Sequence, residues 1–495
     1  MPGACRANVG VDARLRDIFT TQGRHPASMK ISMTTIASVL LLAGCATPAP
    51  SGPDASHKVA AEWHAPLPHQ GQLSDLRLWW SQFNDPLLLR LIDAGQRVSP
   101  TLAEATARIA DARANRVAQR ATLLPMLEAT STGSRERSES AQPVTRTSSA
   151  NLNVSWELDL FGANRAGARA AQASVESSQA RWHDARILVA AEIASTYTDL
   201  RMCEMLIEHA EREVESYEQT TGAVGLLAKA GFETRAAAEQ ARASAAQGRS
   251  NLIEQRSNCE LMIKSLVSLT DSDESLLRHE LLANAATLPS PVELTVASIP
   301  AEVLAQRPDI FAAARDVEMA GAEASQAEAQ RWPRITLAGT IGNSRVSSGG
   351  VTTDGEVWAV GPIAVTMPLF DGGARKANAT AAHARYRASA VIYAARLREA
   401  VREVESALVT LESTASRDVD VLTAAQGFSS AYTAANERYK QGAASLFELE
   451  ELRRSMIAAE RAVVTLHRDR IVAWIDLYRA AGGGWSPDAA RGDEG

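Results

Sequence analysis

Leu152–Asn153–Val154–Ser155–Trp156–Glu157–Leu158–Asp159–Leu160–Phe161–Gly162 alternates apolar with polar side chains as far as Leu158, then halts at a glycine. A period of two with one polar face predicts a strand half in apolar surroundings. The residues that follow read differently. No proline occurs from Val144 to Leu288, and the stretch is rich in Ala, Glu, Arg, Gln and Leu. Proline costs roughly 3 kcal/mol inside a helix, so this window predicts long helices. The same order of signals then returns. Pro100 to Pro125, Leu160–Phe161–Gly162 and Gly231 recur as Pro308 to Pro333, Leu369–Phe370–Asp371 and Gly442, at offsets of 208 to 211 residues. A repeat of this length means one supersecondary unit used twice.

Each unit is a short helix, two strand-like arms and a long helical hairpin. Repeat 1 covers 99–290, with a β-hairpin at 123–160 and an α-hairpin at 162–285. Repeat 2 covers 300–485, with a β-hairpin at 332–370 and an α-hairpin at 372–481. The arms pair as 123–138 with 147–160 and 332–347 with 356–370, across Ser/Thr/Gly-rich loops such as Ser347–Ser348–Gly349–Gly350. In the helical windows Leu200, Cys203, Ile207, Ala210, Val214 and Tyr217 alternate spacings of three and four. Ala238, Ala245, Leu252, Cys259 and Leu266 keep a strict seven. That period is a left-handed coiled-coil seam. Gly231 and Gly442 mark the hairpin turns, where glycine takes φ > 0.

Ile335, Leu337, Gly339 and Ile341 alternate like the first run. Such alternation fits a water-soluble sheet packed on a core, and equally the strands of a transmembrane barrel. Two hairpins make only four strands, too few to close a barrel. Within lipid only closed barrels and helices satisfy their backbone groups. A membrane reading therefore requires an oligomer, and three chains would supply twelve strands and twelve long helices.

The N-terminal region reads as an export signal. Lys30 precedes the apolar run Ile31–Leu42, which is too short to span a bilayer as a helix. Leu42–Ala43–Gly44–Cys45 resembles a bacterial lipobox, making residues 1–44 a leader, Met29 the start and Cys45 the lipidated residue. The plainer alternative is an ordinary signal peptide with an incidental cysteine. Residues 45–98 form a linker and packing segment, in which Trp79, Trp80 and Phe83 pack on the helices rather than forming an aromatic belt. Residues 486–495 read as a flexible tail. In an exported chain, Cys203 and Cys259 lie 28 residues either side of Gly231, at one height on the hairpin. They are a candidate disulfide, against two small buried residues whose side chains miss each other.

A net charge of −7 with no basic block gives no nucleic-acid surface. The nine histidines lack metal-ligand spacing, and no nucleophile, P-loop or dinucleotide motif occurs. Neither an enzyme nor a bound metal is expected, and no cofactor beyond the covalent lipid on Cys45.

Trp79–Trp80–Ser81–Gln82–Phe83–Asn84–Asp85–Pro86, Trp156–Glu157–Leu158–Asp159–Leu160–Phe161–Gly162 and Arg307–Pro308–Asp309–Ile310 stand in order along the chain. Pro368–Leu369–Phe370–Asp371–Gly372–Gly373, Arg438–Tyr439–Lys440–Gln441–Gly442 and Gly482–Gly483–Gly484–Trp485 follow. This series resembles the outer-membrane efflux lipoproteins of the TolC/OprM type. The resemblance implies a homotrimer: a 12-strand outer-membrane β-barrel on a 12-helix periplasmic α-barrel. It implies docking on a periplasmic adaptor and an inner-membrane transporter, and passage of drugs or other small solutes outward. A type I protein secretion duct, or a lipid-anchored periplasmic coiled-coil scaffold without a pore, are the alternatives. By resemblance, Val224–Gly225–Leu226, Gly231–Phe232 and Lys440–Gln441–Gly442 are adaptor-contact tips. Phe447, Glu448 and Glu451 are the pore gate, with glutamates where the family usually has aspartate. Without the resemblance, Glu448 and Glu451 are an i,i+3 pair on a solvated face.

Overall fold

A computed structural model describes residues 76–138, 141–283, 285–289 and 300–486; the leader, Cys45 and the tail from 487 lie outside them. A 3-10 turn at Leu76–Phe83 leads to α1 (Pro86–Val98) and α2 (Pro100–Ala121). Strands β1 (Met126–Ser138) and β2 (Ala141–Leu158) precede α3 (Ala163–Lys229), α4 (Arg235–Thr270) and α5 (Glu274–Ala283). The second unit holds α6 (Pro300–Ala305), α7 (Pro308–Ala329), β3 (Arg334–Ser348), β4 (Val351–Thr366), α8 (Ala374–Lys440) and α9 (Leu446–Ala480).

The repeat is visible in the lengths. Helices α2 and α7 both have 22 residues, α3 and α8 both 67, and α4 and α9 have 36 and 35. A helix of that longest size is ~100 Å at 1.5 Å per residue. Punctuation sets these lengths. Pro100 and Pro308 open their helices at the first turn, where the missing N–H is no loss. Gly162 and Gly373, at φ +79° and +89°, redirect the chain from sheet to long helix.

The long helices lie side by side in the order α4–α3–α9–α8, with α2 and α7 packed on the same layer. The largest core is a belt midway along them, built from Trp79, Leu88, Ile193, Tyr197, Leu200, Leu266, Leu408 and Leu477. Trp79 is fully buried and stacks on Tyr478 with ring centroids 4.7 Å apart. The N-terminal aromatics thus pack on the helices. The seam of the first hairpin follows the heptads: Leu200, Cys203 and Ala210 face buried Ala238, Ala245, Leu252, Cys259 and Leu266. Cys203 and Cys259 meet across it as a disulfide, with Cα atoms 5.6 Å apart. Replacing both cysteines by alanine is expected to cost about 2 kcal/mol, a fall in melting temperature matched by reducing the unmodified protein. Two free thiols on non-reducing peptide mapping would refute the bond.

Two boundaries differ from expectation. The first α-hairpin ends at Thr270 and not at 285, because Asp271 adopts φ +51° and stops the helix before α5. The strands reach further toward the hairpin tips: β2 begins at Ala141 and β4 at Val351. Ser347 and Ser348, expected in a loop, still pair with Thr352 and Val351. Only Gly349 and Gly350 turn, both at positive φ, as a two-residue hairpin of the primed type requires.

The four strands form one antiparallel sheet in the order β1–β2–β3–β4. Strands β2 and β3 join the repeats, pairing Leu152 with Ile341, Val154 with Gly339 and Trp156 with Leu337. The two alternating runs read from the sequence are therefore neighbours, with their apolar faces on one side. Among the described residues no helix packs extensively on either face of the sheet.

Candidate functional site

The candidate residues lie at the helical tips, and the exposed apolar side chains lie on the sheet. At the first tip Gly231 takes φ +82°, Gly231 N donates to Ala228 O (3.2 Å) and Phe232 N to Leu227 O (2.9 Å). At the second, Gly442 takes φ +73°, Gly442 N donates to Tyr439 O (2.9 Å) and Ala443 N to Arg438 O (2.8 Å). Both are Schellman closures. Three residues on, Thr234 and Ser445 cap the returning helices, accepting from Ala237 N and Glu448 N, each at 3.1 Å. Gly-x-x-Thr and Gly-x-x-Ser are thus one device used twice.

Leu226 and Phe232 project from the first tip, 68% and 80% exposed. Val224 does not. It is fully buried with Ala238 and Ala241, which removes it from the candidate contact surface. Gly225 and Gly231 leave open backbone beside the exposed side chains. At the second tip Lys440 pairs with Glu437 at 2.7 Å, next to exposed Gln441 and Gly442.

Phe447 is half exposed at the start of α9. Glu448 pairs with Arg438 of α8 at 2.6 Å, and Glu451 with Arg454 at 3.0 Å while its side chain stays 73% exposed. Glu450 points the other way, buried against Ser216 of α3, which donates to it, with Arg453 3.5 Å off. The sequence offers three glutamates within four residues; the helix presents two and buries one.

The contact between the hairpins is polar where each hairpin's own seam is apolar. From the core belt toward the tips, α3 and α9 are linked by Asp199–Arg468 (2.5 Å), Arg212–Glu460 (2.8 Å), Glu213–Arg461 (3.4 Å) and Gln219–Arg453 (2.7 Å). His209 lies 3.4 Å from Glu460. Its burial, and then the Arg212 charge, hold its pKa below the ordinary imidazole range. Sequence reasoning missed this ladder, since its members are 234 to 269 residues apart.

A second node joins α7 to the end of α9. Arg307, buried at the start of α7, donates to Ala480 O (2.9 Å) and pairs with Asp309 and Glu403, both at 2.8 Å. Beside it burial, followed by the Asp309 charge, pushes the Asp184 carboxyl up to about 6. Its folded pKa then exceeds the unfolded value near 4. The folded state binds the extra proton, so this contribution is present at low pH and lost as pH rises through about 6. Asp184→Asn is expected to melt higher than the parent at pH 7.5 and equally at pH 4, by differential scanning fluorimetry. An unchanged difference across that range would refute the assignment.

On the sheet, Leu127, Leu152, Val154, Trp156, Ile341, Val360, Ile363 and Val365 are all exposed, and the strand registers place them on one face. On β2 the polar residues of the other face, Asn151, Asn153 and Glu157, are the more enclosed. This inverts the surface of a sheet packed on a core. From Ile335 to Ile341 the apolar band is roughly 20 Å along the strand at about 3.3 Å per residue, near the ~25 Å outer band of membrane barrels. Trp156 is fixed there by donating Nε1 to Leu123 O at 3.1 Å. Among the described residues no helix is long and apolar enough to cross a membrane, and no cluster suits a metal.

Comparison with known proteins gives the same picture. The family described as "Outer membrane efflux protein" matches residues 91–270 and 299–483, one block for each repeat. Outer membrane protein OprJ of Pseudomonas aeruginosa is 28% identical over 464 residues, covering 90% of this chain and 95% of that one. "Probable outer membrane lipoprotein SilC" of Salmonella typhimurium is 25% identical over 475 residues, covering 92% and 99%. The solved outer-membrane channel OprN has the same fold, with a TM-score of 0.74 at 23% identity over 88% of this chain and 99% of that one. With both repeats matched in order, the chain belongs to the outer membrane efflux protein family.

Proposed function

We propose that three copies of this chain close into a tube that serves as the outer-membrane exit duct of a tripartite efflux pump, passing small solutes outward. The observation that carries the reading is the sheet's exposed apolar face, with the polar residues Asn151, Asn153 and Glu157 of β2 the more enclosed. A lipid-anchored scaffold gains nothing from such a surface. The edges support a ring. Repeat 1 supplies the open edges β1 and α4, and repeat 2 supplies β4 and α8. One head-to-tail rotation therefore joins β4 to β1 and α8 to α4 of the next copy, as ring closure demands. Exposed Ile253 and Leu261 on α4, and Val409, Val419 and Phe428 on α8, supply apolar surface for that joint. The barrel lies in the outer membrane, and Cys45 carries a lipid as the additional anchor.

The tips dock a periplasmic adaptor through Leu226, Phe232 and the backbone at Gly225, Gly231, Gln441 and Gly442, joined to an inner-membrane transporter. Electron microscopy of protein extracted from an outer-membrane fraction tests the duct. Threefold particles with a hollow stem below a micelle support it, and monomers without a micelle overturn it.

Glu448 and Glu451 form the constriction, with Phe447 beside them. Three chains bring six carboxylates together, and charged rings of this kind set ion preference. Each is already matched by Arg438 or Arg454, so their removal leaves those cations unbalanced. Glu448→Gln with Glu451→Gln is expected to drive cation-over-anion selectivity toward or below unity in single-channel recordings. Unchanged selectivity and conductance would exclude this gate.

A further inference from the structure

Arg135 and Arg146 stand directly opposite each other in the β1–β2 ladder. Like charges in that position repel. Arg146 pairs on its other side with Ser347 of β3, and Arg345 stands two residues from Ser347 on the same face. Alternation counted from Ala129, Leu152 and Ile341 puts all three arginines on the face of the apolar band. They lie beyond its rim on the hairpin-tip side, roughly 13 to 20 Å along the strands at about 3.3 Å per residue. All three are exposed. No ion pair or side-chain hydrogen bond joins any of them to another described residue. Asp354 stands opposite Arg345 on β4 without bonding to it, and no acid stands opposite Arg135 or Arg146. Some exposed arginines elsewhere are paired, as in Arg97–Asp93, Arg108–Glu104 and Arg402–Glu399, so what sets this trio apart is its placement, two of the three directly opposed and all on one face.

Below the trio, on the same face, Leu152, Val154, Trp156, Ile341 and Val360 wall an apolar groove floored by Gly339. A groove for an acyl chain with cations above it matches one kind of molecule, an amphiphile with an anionic head. Guanidinium groups take phosphate through paired N–H bonds, and one phosphate between Arg135 and Arg146 removes their repulsion. We propose that this surface binds a phosphate-bearing glycolipid of the leaflet on the hairpin-tip side, its chains in the groove and its phosphates on Arg135, Arg146 and Arg345. The inference rests on the reading of the sheet as part of an outer-membrane barrel.

The test uses the full-length protein in neutral detergent micelles and native mass spectrometry. The probes are diphosphorylated lipid A, its dephosphorylated form and inorganic phosphate. Diphosphorylated lipid A is expected to bind about tenfold or more tighter than the dephosphorylated form. Arg135→Ser with Arg146→Ser should abolish that preference, while Arg334→Ser, at the opposite end of β3 and on its other face, should keep it. Equal binding of both lipids, or an undiminished preference in the double variant, overturns the proposal. Inorganic phosphate that displaces lipid A at equal concentration assigns the site to a free anion and also overturns it. Protein that takes up no micelle refutes the barrel reading, whereas protein in a micelle without phosphate preference refutes only the glycolipid site.

Discussion

Val360→Arg is expected to prevent stable insertion of the sheet into a bilayer, although Val360 touches almost nothing within its own chain. It is 91% exposed and sits opposite Gly339, near the middle of the apolar band. On a water-washed sheet such a change falls within about ±0.5 kcal/mol. At the midplane of a membrane barrel an outward arginine costs about 2–4 kcal/mol. Three copies in one barrel would carry roughly three times that, on the same per-residue cost. Folding into phospholipid vesicles, followed by urea titration, separates the cases. Val360→Leu should behave as the parent. Thr340→Arg, on the enclosed polar face, should fold normally because charged side chains on that face meet water in the lumen. Equal tolerance of arginine at 360 and 340 would return the sheet to a soluble role and with it the whole duct.

Local chemistry made much of the fold legible. Proline and glycine fix where helices start and turn, and they act within a few residues, so the doubled unit and the 67-residue helices follow from punctuation. The alternation at Leu152–Leu158 predicts a strand for the same reason, but its environment is not a local property. Only the β2–β3 register, with the exposure of the side chains it aligns, shows that the apolar face is open. Val224 was misplaced despite a usable signal. Continuing the seam from Val214 and Tyr217 by seven reaches Val224, so the heptad already assigns it to the interior, where it lies. Glu450 had a weaker signal, since its burial depends on Ser216 of another helix, 234 residues away. The Glu448–Glu451 pair is legible as a helical face. Its arginine partners are not, because Arg438 reaches Glu448 across the turn.

Arg201→Ala is expected to release the N-terminal segment from the helices. Arg201 follows Leu200 of the seam and reads in sequence as one more charged helix residue. In the fold it is fully buried, with its guanidinium 5.0 Å from the Tyr197 ring. Its Nε donates to Tyr197 Oη (3.0 Å), and its Nη1 donates to Glu204 Oε2 (2.9 Å) and Leu281 O (3.0 Å). Tyr197 Oη in turn donates to Asp85 Oδ2 at 2.6 Å, while Asp85 Oδ1 accepts from Leu87 N and Leu88 N to cap α1. One cation thus ties α1, α3 and the end of α5. Removing one partner of a buried charged network costs about 3–5 kcal/mol, because the groups left behind stay desolvated and unpaired. Here those groups are the Leu281 carbonyl and the acceptor side of Tyr197, while Glu204 keeps only its bond from Ala286 N. Arg201→Lys keeps a charge but not the fork that reaches three acceptors, and Arg201→Met fills the volume alone. Limited proteolysis between 76 and 98, with melting temperature, should rank them parent, Lys, Met, Ala. If Arg201→Met proves as stable as the parent, packing and not the hydrogen-bonded cation holds the segment in place.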